Sequence, residues 1–306
     1  MTGKNIILTV LILFLFLFSL AGEVTIAGET GFITDLTGDP KIQPSVGLTL
    51  SLDSYKFFNQ NWSGFWDCMG TTSYNFYEKN LTFGAALGGD ISFMTSSDLS
   101  RIGLGVYYEG TESSLDEYMM IEPELYFAHD FDTSTLYTSH TLSILLFPEN
   151  NLTYTGILGF PVLMKSALLI EPMMVGGVSF SEENTVSFID PSIRGSWYPG
   201  FIFYLDGEIG LKTYFSGPPV YELHFNSSLS YSINNYLQIQ IMAPLILQFN
   251  EEPDEDWIFF DPQLTLNYQI SSFLISSFIL KDKTEMQTLN NLEHRVMGSL
   301  ELTYVY

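Results

Sequence analysis

Apolar and polar residues alternate along most of this sequence, and the pattern is clearest at the end of the chain. Leu300, Leu302, Tyr304 and Tyr306 occupy one set of alternate positions there, whereas the positions between them are mostly polar and include Glu301. Successive side chains of a β-strand point to opposite faces, so this period of two predicts a strand with one apolar and one polar face. The same period recurs from position 44 onward, which predicts an all-β chain.

The composition is short of charge for a chain of 306 residues. Hydrophobic residues make up 46% of the sequence and charged residues only 15%, whereas a soluble domain usually carries about 25% charged residues. Aromatic residues make up another 15%, with 25 Phe and 18 Tyr. Membrane-spanning barrels use aromatic side chains at both membrane interfaces, so this composition favours a membrane protein built from strands.

The charge balance is acidic, with 11 Lys and Arg against 35 Asp and Glu and a net charge of −24. Nucleic-acid binding needs basic patches, so we expect no nucleic-acid partner. An acidic surface is also repelled by anionic lipid headgroups. The excess of carboxylates favours cations as solutes or ligands, although acidic residues also serve simply to keep loops soluble.

The N-terminus has the features of a secretory signal peptide. A positive charge at Lys4 precedes an apolar run at 6–20, and small residues follow at Ala21 and Gly22. This order predicts a signal peptide over 1–22, cleaved near its end. An uncleaved anchor is the alternative, but the apolar run is shorter than the ~20 residues that a spanning helix needs. We expect residues 23–43 to form a periplasmic lead-in.

The remaining residues, 44–306, are predicted to form one transmembrane, antiparallel, up-and-down β-barrel. The pattern predicts about fourteen strands, with twelve to sixteen possible, because the aromatic region 53–80 is either a long loop or contains an additional hairpin. We expect the strand at 46–52 to pair with the last strand and close the barrel. The other predicted strands lie near 81–94, 101–108, 118–128, 133–146, 152–159, 166–180, 184–196, 200–214, 220–232, 236–248, 256–269, 273–281 and 294–306.

The last strand resembles the C-terminal strand of bacterial outer-membrane β-barrels of the porin-like class. In that family the final residue is aromatic, usually Phe, and apolar residues precede it at every second position. Here Tyr306 is final, with Tyr304, Leu302 and Leu300 before it. The resemblance implies an outer-membrane location in contact with lipid. It also implies assembly by periplasmic chaperones and by the barrel-assembly machinery, which reads the final strand.

The alternation alone does not say which face is outside, because a soluble barrel has the same pattern. The signal peptide, the low charge content, the last strand and the alternation of long and short connections favour lipid outside and a polar lumen. On this basis we expect a set of ionisable residues to line the pore. These are Glu122, Glu124, Asp190, Arg194, Asp206, Glu208, Lys212, Glu222, Asp261 and Glu301.

An apolar–acidic–Pro motif recurs at 121–123, 170–172, 189–191 and 260–262. Proline lacks the N–H that a β-ladder needs, so we expect bulges at these positions. The acids beside the prolines either form a ring that selects cations or are ordinary solvated lumen residues. The sequence leaves the side on which Glu171 lies open. Three basic residues are candidates for a network across the lumen, namely Arg101, Arg194 and Lys212.

No catalytic or metal-binding motif is evident, so we expect no enzymatic activity and no cofactor or metal. The four His are scattered, and a single cysteine, Cys68, cannot build a thiolate site. The interpretation that best fits the pattern is a passive outer-membrane pore for small polar solutes with a preference for cations. Two alternatives remain open: a non-conducting structural or interaction barrel with acidic surface loops, and a plugged transporter of hydrophobic solutes.

Overall fold

The computed structural model describes one antiparallel β-sheet, to which every strand segment belongs. The described residues are 23–35, 42–111, 117–147, 150–164, 167–181, 184–200, 202–215, 220–250, 256–287 and 291–305. The predicted signal peptide and Tyr306 lie outside them. Within the described ranges, no helix has the length and apolar character needed to cross a membrane.

The sheet contains nineteen strand segments, numbered in chain order. The first ten are β1 (Glu23–Asp35), β2 (Ile42–Phe57), β3 (Trp62–Asn75), β4 (Asn80–Met94), β5 (Asp98–Thr111), β6 (Tyr118–Phe131), β7 (Ser134–Phe147), β8 (Asn151–Gly159), β9 (Val162–Met164) and β10 (Leu168–Phe180). The others are β11 (Thr185–Gly200), β12 (Phe203–Tyr214), β13 (Val220–Ser232), β14 (Leu237–Met242), β15 (Leu245–Phe249), β16 (Trp257–Phe260), β17 (Gln263–Gln269), β18 (Leu274–Gln287) and β19 (Asn291–Val305).

Three of the barrel strands are interrupted by a proline. Pro161 separates β8 from β9, Pro244 separates β14 from β15, and Pro262 separates β16 from β17. The two pieces of each pair keep one register against the same neighbours, as β16 and β17 do along β18. The nineteen segments therefore make sixteen barrel strands.

The prediction of bulges at the prolines of the apolar–acidic–Pro motif is wrong. The register is unchanged across the break at Pro262, where only the missing N–H interrupts the ladder. The Pro262 carbonyl still accepts a hydrogen bond from the Asp282 N–H at 2.9 Å. Register shifts occur elsewhere, between Trp197 and Gly200 on β11 and at Met119–Met120 on β6.

The first described strand, β1, closes the barrel. It pairs with β19 from Thr25–Val305 to Asp35–Arg295, and its other edge pairs with β2. The predicted periplasmic lead-in is therefore wrong for residues 23–35, which form a barrel strand. The prediction that 46–52 pairs with the last strand is also wrong, because β1 lies between them.

The region 53–80 contains a strand and a tight turn. Strand β3 pairs with β2 and β4, and residues 76–79 connect it to β4. The Asn75 side-chain oxygen accepts the N–H groups of Tyr77 at 2.9 Å and Glu78 at 3.1 Å, which stabilises this turn. The long-loop alternative for 53–80 is therefore wrong, and the region adds one strand, β3, rather than a complete additional hairpin. With β1 and β3 included, sixteen strands replace the fourteen that were predicted.

The exterior of the barrel is an apolar band between two sets of aromatic residues, as expected of a surface in lipid. On β5, Ile102 and Leu104 point outward and are 65% and 53% exposed, whereas Arg101 points to the interior. Near the short turns the outward aromatic residues are Phe58, Trp62, Phe131, Phe160, Tyr231, Tyr268, Phe273 and Tyr304. Near the opposite end they are Phe32, Phe76, Phe180, Phe215, Tyr221 and Phe249.

Closure by β1 can be tested with engineered disulfides in a Cys68→Ser background. Thr30 lies opposite both Leu300 and Val46. We expect Thr30→Cys/Leu300→Cys to form a disulfide, because directly opposed Cα atoms lie within disulfide range. The oxidised protein should migrate differently from the reduced protein on a denaturing gel.

The matched control is Val46→Cys/Leu300→Cys. These positions are two strand spacings apart, about 9.6 Å, which exceeds the reach of a disulfide. Cross-linking of the control pair, together with a lack of cross-linking between positions 30 and 300, would contradict closure by β1.

Candidate functional site

All ten predicted pore-lining residues lie on the interior face of the barrel. The registers connect them: Arg194 is opposite Glu208, Glu208 is opposite Asn226, and Lys212 is opposite Glu222. Glu301 is opposite Glu29 on β1. Glu171, whose side was left open by the sequence, also faces the interior, where it accepts the Tyr137 hydroxyl at 2.7 Å.

A largely buried carboxylate, Asp206, anchors the wall formed by β11 and β12. The Arg194 Nε donates to both carboxylate oxygens of Asp206 at 3.1 Å, and the Ser196 hydroxyl donates to Asp206 at 2.5 Å. The Asp206 side chain is only 16% exposed. A charge-assisted, multiply bonded carboxylate holds its position well, so this group is a rigid part of the wall.

A second group on β11–β13 contains a histidine that sequence reasoning did not assign to the lumen site. His224 Nε2 lies 2.8 Å from Asp190, and its Nδ1 lies 3.9 Å from Glu208. The side chain of His224 is 13% exposed and packs against Gly210, where a Cβ would also lie 2.8 Å from the Ser192 Cβ. Gly210 therefore makes room for the histidine. Alternation placed His224 on the polar face of β13, and only the register shows its partners.

Aromatic rings hold the basic residue on β12. The Lys212 Nζ lies 4.4 Å from the Phe188 ring centroid and 4.8 Å from that of Tyr214. The Tyr214 hydroxyl donates to Glu222 at 3.0 Å. Lys212 thus forms cation–π contacts, and the Glu222 carboxylate is bonded by a neutral donor.

The wall formed by β5–β7 also contains a carboxylate that accepts hydrogen bonds from an arginine and a serine, as Asp206 does. The Arg101 Nη2 donates to Glu124 at 3.1 Å, and the Ser139 hydroxyl donates to the same carboxylate at 3.0 Å. Ser143 donates to Glu122 at 2.6 Å. These contacts join neighbouring strands of one wall, as the Arg194–Asp206 contact does. Arg101 and Arg194 therefore pair with acids as the sequence suggested, but along the wall, and the described residues form no network across the lumen.

A third charged group surrounds the break at Pro262. Asp261 lies near Lys283, which pairs with Glu285, and Arg295 pairs with Glu293 at 3.3 Å. The predicted carboxylates therefore occur in separate groups on three parts of the wall. Their contacts are local, and they do not form one hydrogen-bonded ring among the described residues.

The wall formed by β3–β5 carries further interior acids that sequence reasoning missed, including Asp67, Asp90 and Glu109. Interior glycines lie beneath some of the side chains. The Asp67 carboxylate lies over Gly88, and the Tyr107 ring lies over Gly105. The alternation of apolar and polar residues that would have assigned Asp67 to the interior is weak, because β3 has aromatic residues on both faces.

Acidic residues greatly outnumber basic residues on the described interior face. The basic ones are Arg101, Arg194, Lys212, Lys281, Lys283 and Arg295. The acidic ones are Glu29, Asp53, Asp67, Asp90, Glu109, Glu122, Glu124, Asp130, Glu171, Asp190, Asp206, Glu208, Glu222, Asp261, Glu285, Glu293 and Glu301. No group of three or more His, Cys, Asp or Glu within the described ranges could hold a metal ion.

Structural comparison shows that this fold is similar to that of bacterial outer-membrane channels. Pseudomonas aeruginosa OccK1 (OpdK) aligns with a TM-score of 0.61 at 7% identity, covering 93% of this chain and 98% of that chain. Acinetobacter baumannii OccAB3 aligns with a TM-score of 0.57 at 9% identity and the same coverage. A bacterial polysaccharide outer membrane secretin aligns with a TM-score of 0.55 at 10% identity, again with the same coverage.

No protein-family model and no curated protein matches this sequence. The likeness is therefore one of fold, and it extends over nearly the whole length of both chains. It confirms the predicted outer-membrane β-barrel fold. The chain is a closed barrel with the architecture of outer-membrane channel proteins.

A matched pair of glycine substitutions tests the packing of the lumen wall. We expect Gly210→Ala to reduce the free energy of unfolding by about 1–3 kcal/mol, because its methyl group meets Ser192 and His224. Gly195→Ala, on the adjacent strand, places its methyl group where nothing lies within 4 Å.

The Gly195 variant should stay within about 0.5 kcal/mol of the wild-type protein. Urea unfolding of each variant in lipid vesicles provides the measurement. Equal stabilities for the two variants would contradict the described packing around His224.

Proposed function

We propose that this protein is an outer-membrane pore that lets small polar solutes pass and prefers cations. The observation that carries the proposal is the acidic interior of a closed sixteen-strand barrel. Barrels of sixteen to eighteen strands leave an aqueous channel, whereas eight-strand barrels are filled by their own side chains. No stretch of the described chain folds back into the interior, since its segments are barrel strands and the connections between them.

An outer-membrane location is supported by the exterior and by the comparisons. The outward side chains form an apolar band with aromatic residues at both ends, and the backbone pairs around the full circumference. Lipid offers no partner for unpaired N–H and C=O groups, so a closed sheet is the β-structure that can cross a bilayer. The similar structures are outer-membrane proteins. The predicted signal peptide would supply the export step.

Cation preference follows from which interior charges are compensated. Arg101, Arg194 and Arg295 each pair with a carboxylate, and Lys212 lies against two rings. Many interior acids are bonded instead by neutral hydroxyl groups, as Glu122 is by Ser143. Hydroxyl groups carry no charge, so these hydrogen bonds do not offset the charge of the carboxylates as an arginine would. Rings or walls of carboxylates attract cations and exclude anions.

The preference can be tested with a triple variant, Glu122→Gln/Glu124→Gln/Asp261→Asn. We expect the K⁺/Cl⁻ permeability ratio to fall roughly threefold, which corresponds to a loss of ~0.7 kcal/mol of Coulomb attraction. Loss of the Glu124 charge also leaves Arg101 uncompensated, which favours anions further. Reversal potentials in planar bilayers under a KCl gradient measure the ratio.

The matched control is Glu78→Gln/Glu117→Gln/Asp132→Asn. It removes the same charge from exposed positions in connections or beside a strand end. We expect the control to retain the wild-type ratio within about 1.5-fold, since exposed charges are screened over about 10 Å at 0.1 M salt. Equal ratios in all three proteins would show that the interior acids have no selective role.

A further inference from the structure

We propose that the interior wall formed by β1–β6 carries a binding site for a small organic ammonium ion with an apolar body. This inference rests on the proposed pore function, because it names the class of solute that the lumen recognises. The site is a hollow of about 490 Å³ in the lumen wall. Ligand pockets commonly have volumes of about 300–1,000 Å³, so the hollow is large enough for such a solute.

Small residues create the hollow. Interior positions on β2–β4 carry Gly47, Gly84 and Ala86 together with hydroxyl residues such as Thr49 and Thr71. A Cβ at Gly84 would lie 2.7 Å from the Thr71 hydroxyl oxygen, so a larger residue would crowd this surface. The wall is therefore recessed here, and its surface presents hydroxyl oxygens that can accept N–H hydrogen bonds.

Polarisable side chains form one side of the hollow. Tyr107, Tyr118, Met69 and Met120 line it from β3, β5 and β6. The Tyr118 hydroxyl donates to the Met120 sulfur at 3.0 Å, and the Tyr107 ring lies across Gly105, where a Cβ would be 2.9 Å from its hydroxyl oxygen. Both tyrosines are thereby held in place. Tyrosine rings attract cations through their faces, and methionine adapts to apolar surfaces.

The charged residues that line the hollow are Glu29 and Glu109, and both are acidic. Glu122 lies close to both tyrosines and adds to the negative potential there. An anion would be repelled, and a neutral solute would leave the carboxylates without compensation. An ammonium group satisfies the carboxylates and hydroxyls, while its apolar body contacts the tyrosines and methionines. The combination therefore fits an organic cation.

The hollow lies toward the end of the barrel where β3 turns into β4 and β5 approaches β6. Glu109 is near the end of β5, and Tyr118 begins β6. With the predicted orientation, this is the outer half of the lumen. A solute entering from outside would meet the hollow before it reaches the Arg194–Asp206 contact near the opposite end of β12.

The test compares two probes of nearly equal shape and opposite charge on the full-length protein. Phenethylammonium should reduce the K⁺ current through single channels in a saturable manner, and 3-phenylpropanoate should not. In Tyr118→Leu, which changes no charge, the apparent affinity for phenethylammonium should fall about tenfold while the K⁺/Cl⁻ ratio is unchanged. Glu109→Gln should weaken the affinity about tenfold as well.

Control variants carry the same replacements on other parts of the interior wall. Tyr214→Leu and Glu208→Gln, both on β12, should keep the affinity for phenethylammonium within about twofold, since neither residue lines the hollow. Ala86→Leu fills the hollow without changing charge and should abolish saturable block. Block that survives Ala86→Leu and Tyr118→Leu, or equal block by glucose and phenethylammonium, would overturn the site.

Equilibrium binding separates this site from the pore itself. Calorimetric titration of the folded protein in detergent with phenethylammonium requires no conductance. Binding that is weakened by Tyr118→Leu in a protein that does not conduct would support the site and overturn the pore. Steady conductance with no binding of phenethylammonium would overturn the site and leave the pore intact.

Discussion

Complete backbone pairing is the constraint on which the rest of this structure depends. An unpaired N–H or C=O group in hydrocarbon costs several kcal/mol, so a sheet in lipid must close on itself. Here β1 supplies the last two ladders, one with β19 and one with β2. The three proline interruptions are tolerated because the register continues past each of them and the Pro161, Pro244 and Pro262 carbonyls still accept hydrogen bonds.

Closure determines where every side chain points, and this in turn determines the chemistry of the lumen. Because the period is two, one face of each strand meets lipid and the other lines the interior. The interior acids are held by hydroxyl groups and by arginines on neighbouring strands, as in the contacts of Glu124 with Arg101 and Ser139. These contacts stiffen the wall locally, because they run between neighbouring strands of the same wall.

Much of the fold could be predicted from the sequence, because alternation is a local property of each strand. The fourteen predicted strands exist, and Glu122, Asp206 and Asp261 face the interior as the pattern indicated. Strand β1 was missed because its glycines resemble a loop, and β3 was missed because aromatic residues occur on both of its faces. The partners of His224 could not be predicted, since they depend on the register of β11–β13. The hollow on β1–β6 likewise arises from residues on six strands.

The central claim is that a closed, acidic barrel conducts cations, and single-channel recording of the wild-type protein in planar bilayers tests it most directly. A cation-conducting barrel should give a steady conductance and, under a KCl gradient, a reversal potential displaced toward the K⁺ equilibrium potential. Folding of the same preparation can be verified by a heat-dependent shift on a gel. A folded protein that shows no conductance, or one whose reversal potential lies toward that of Cl⁻, would contradict the account.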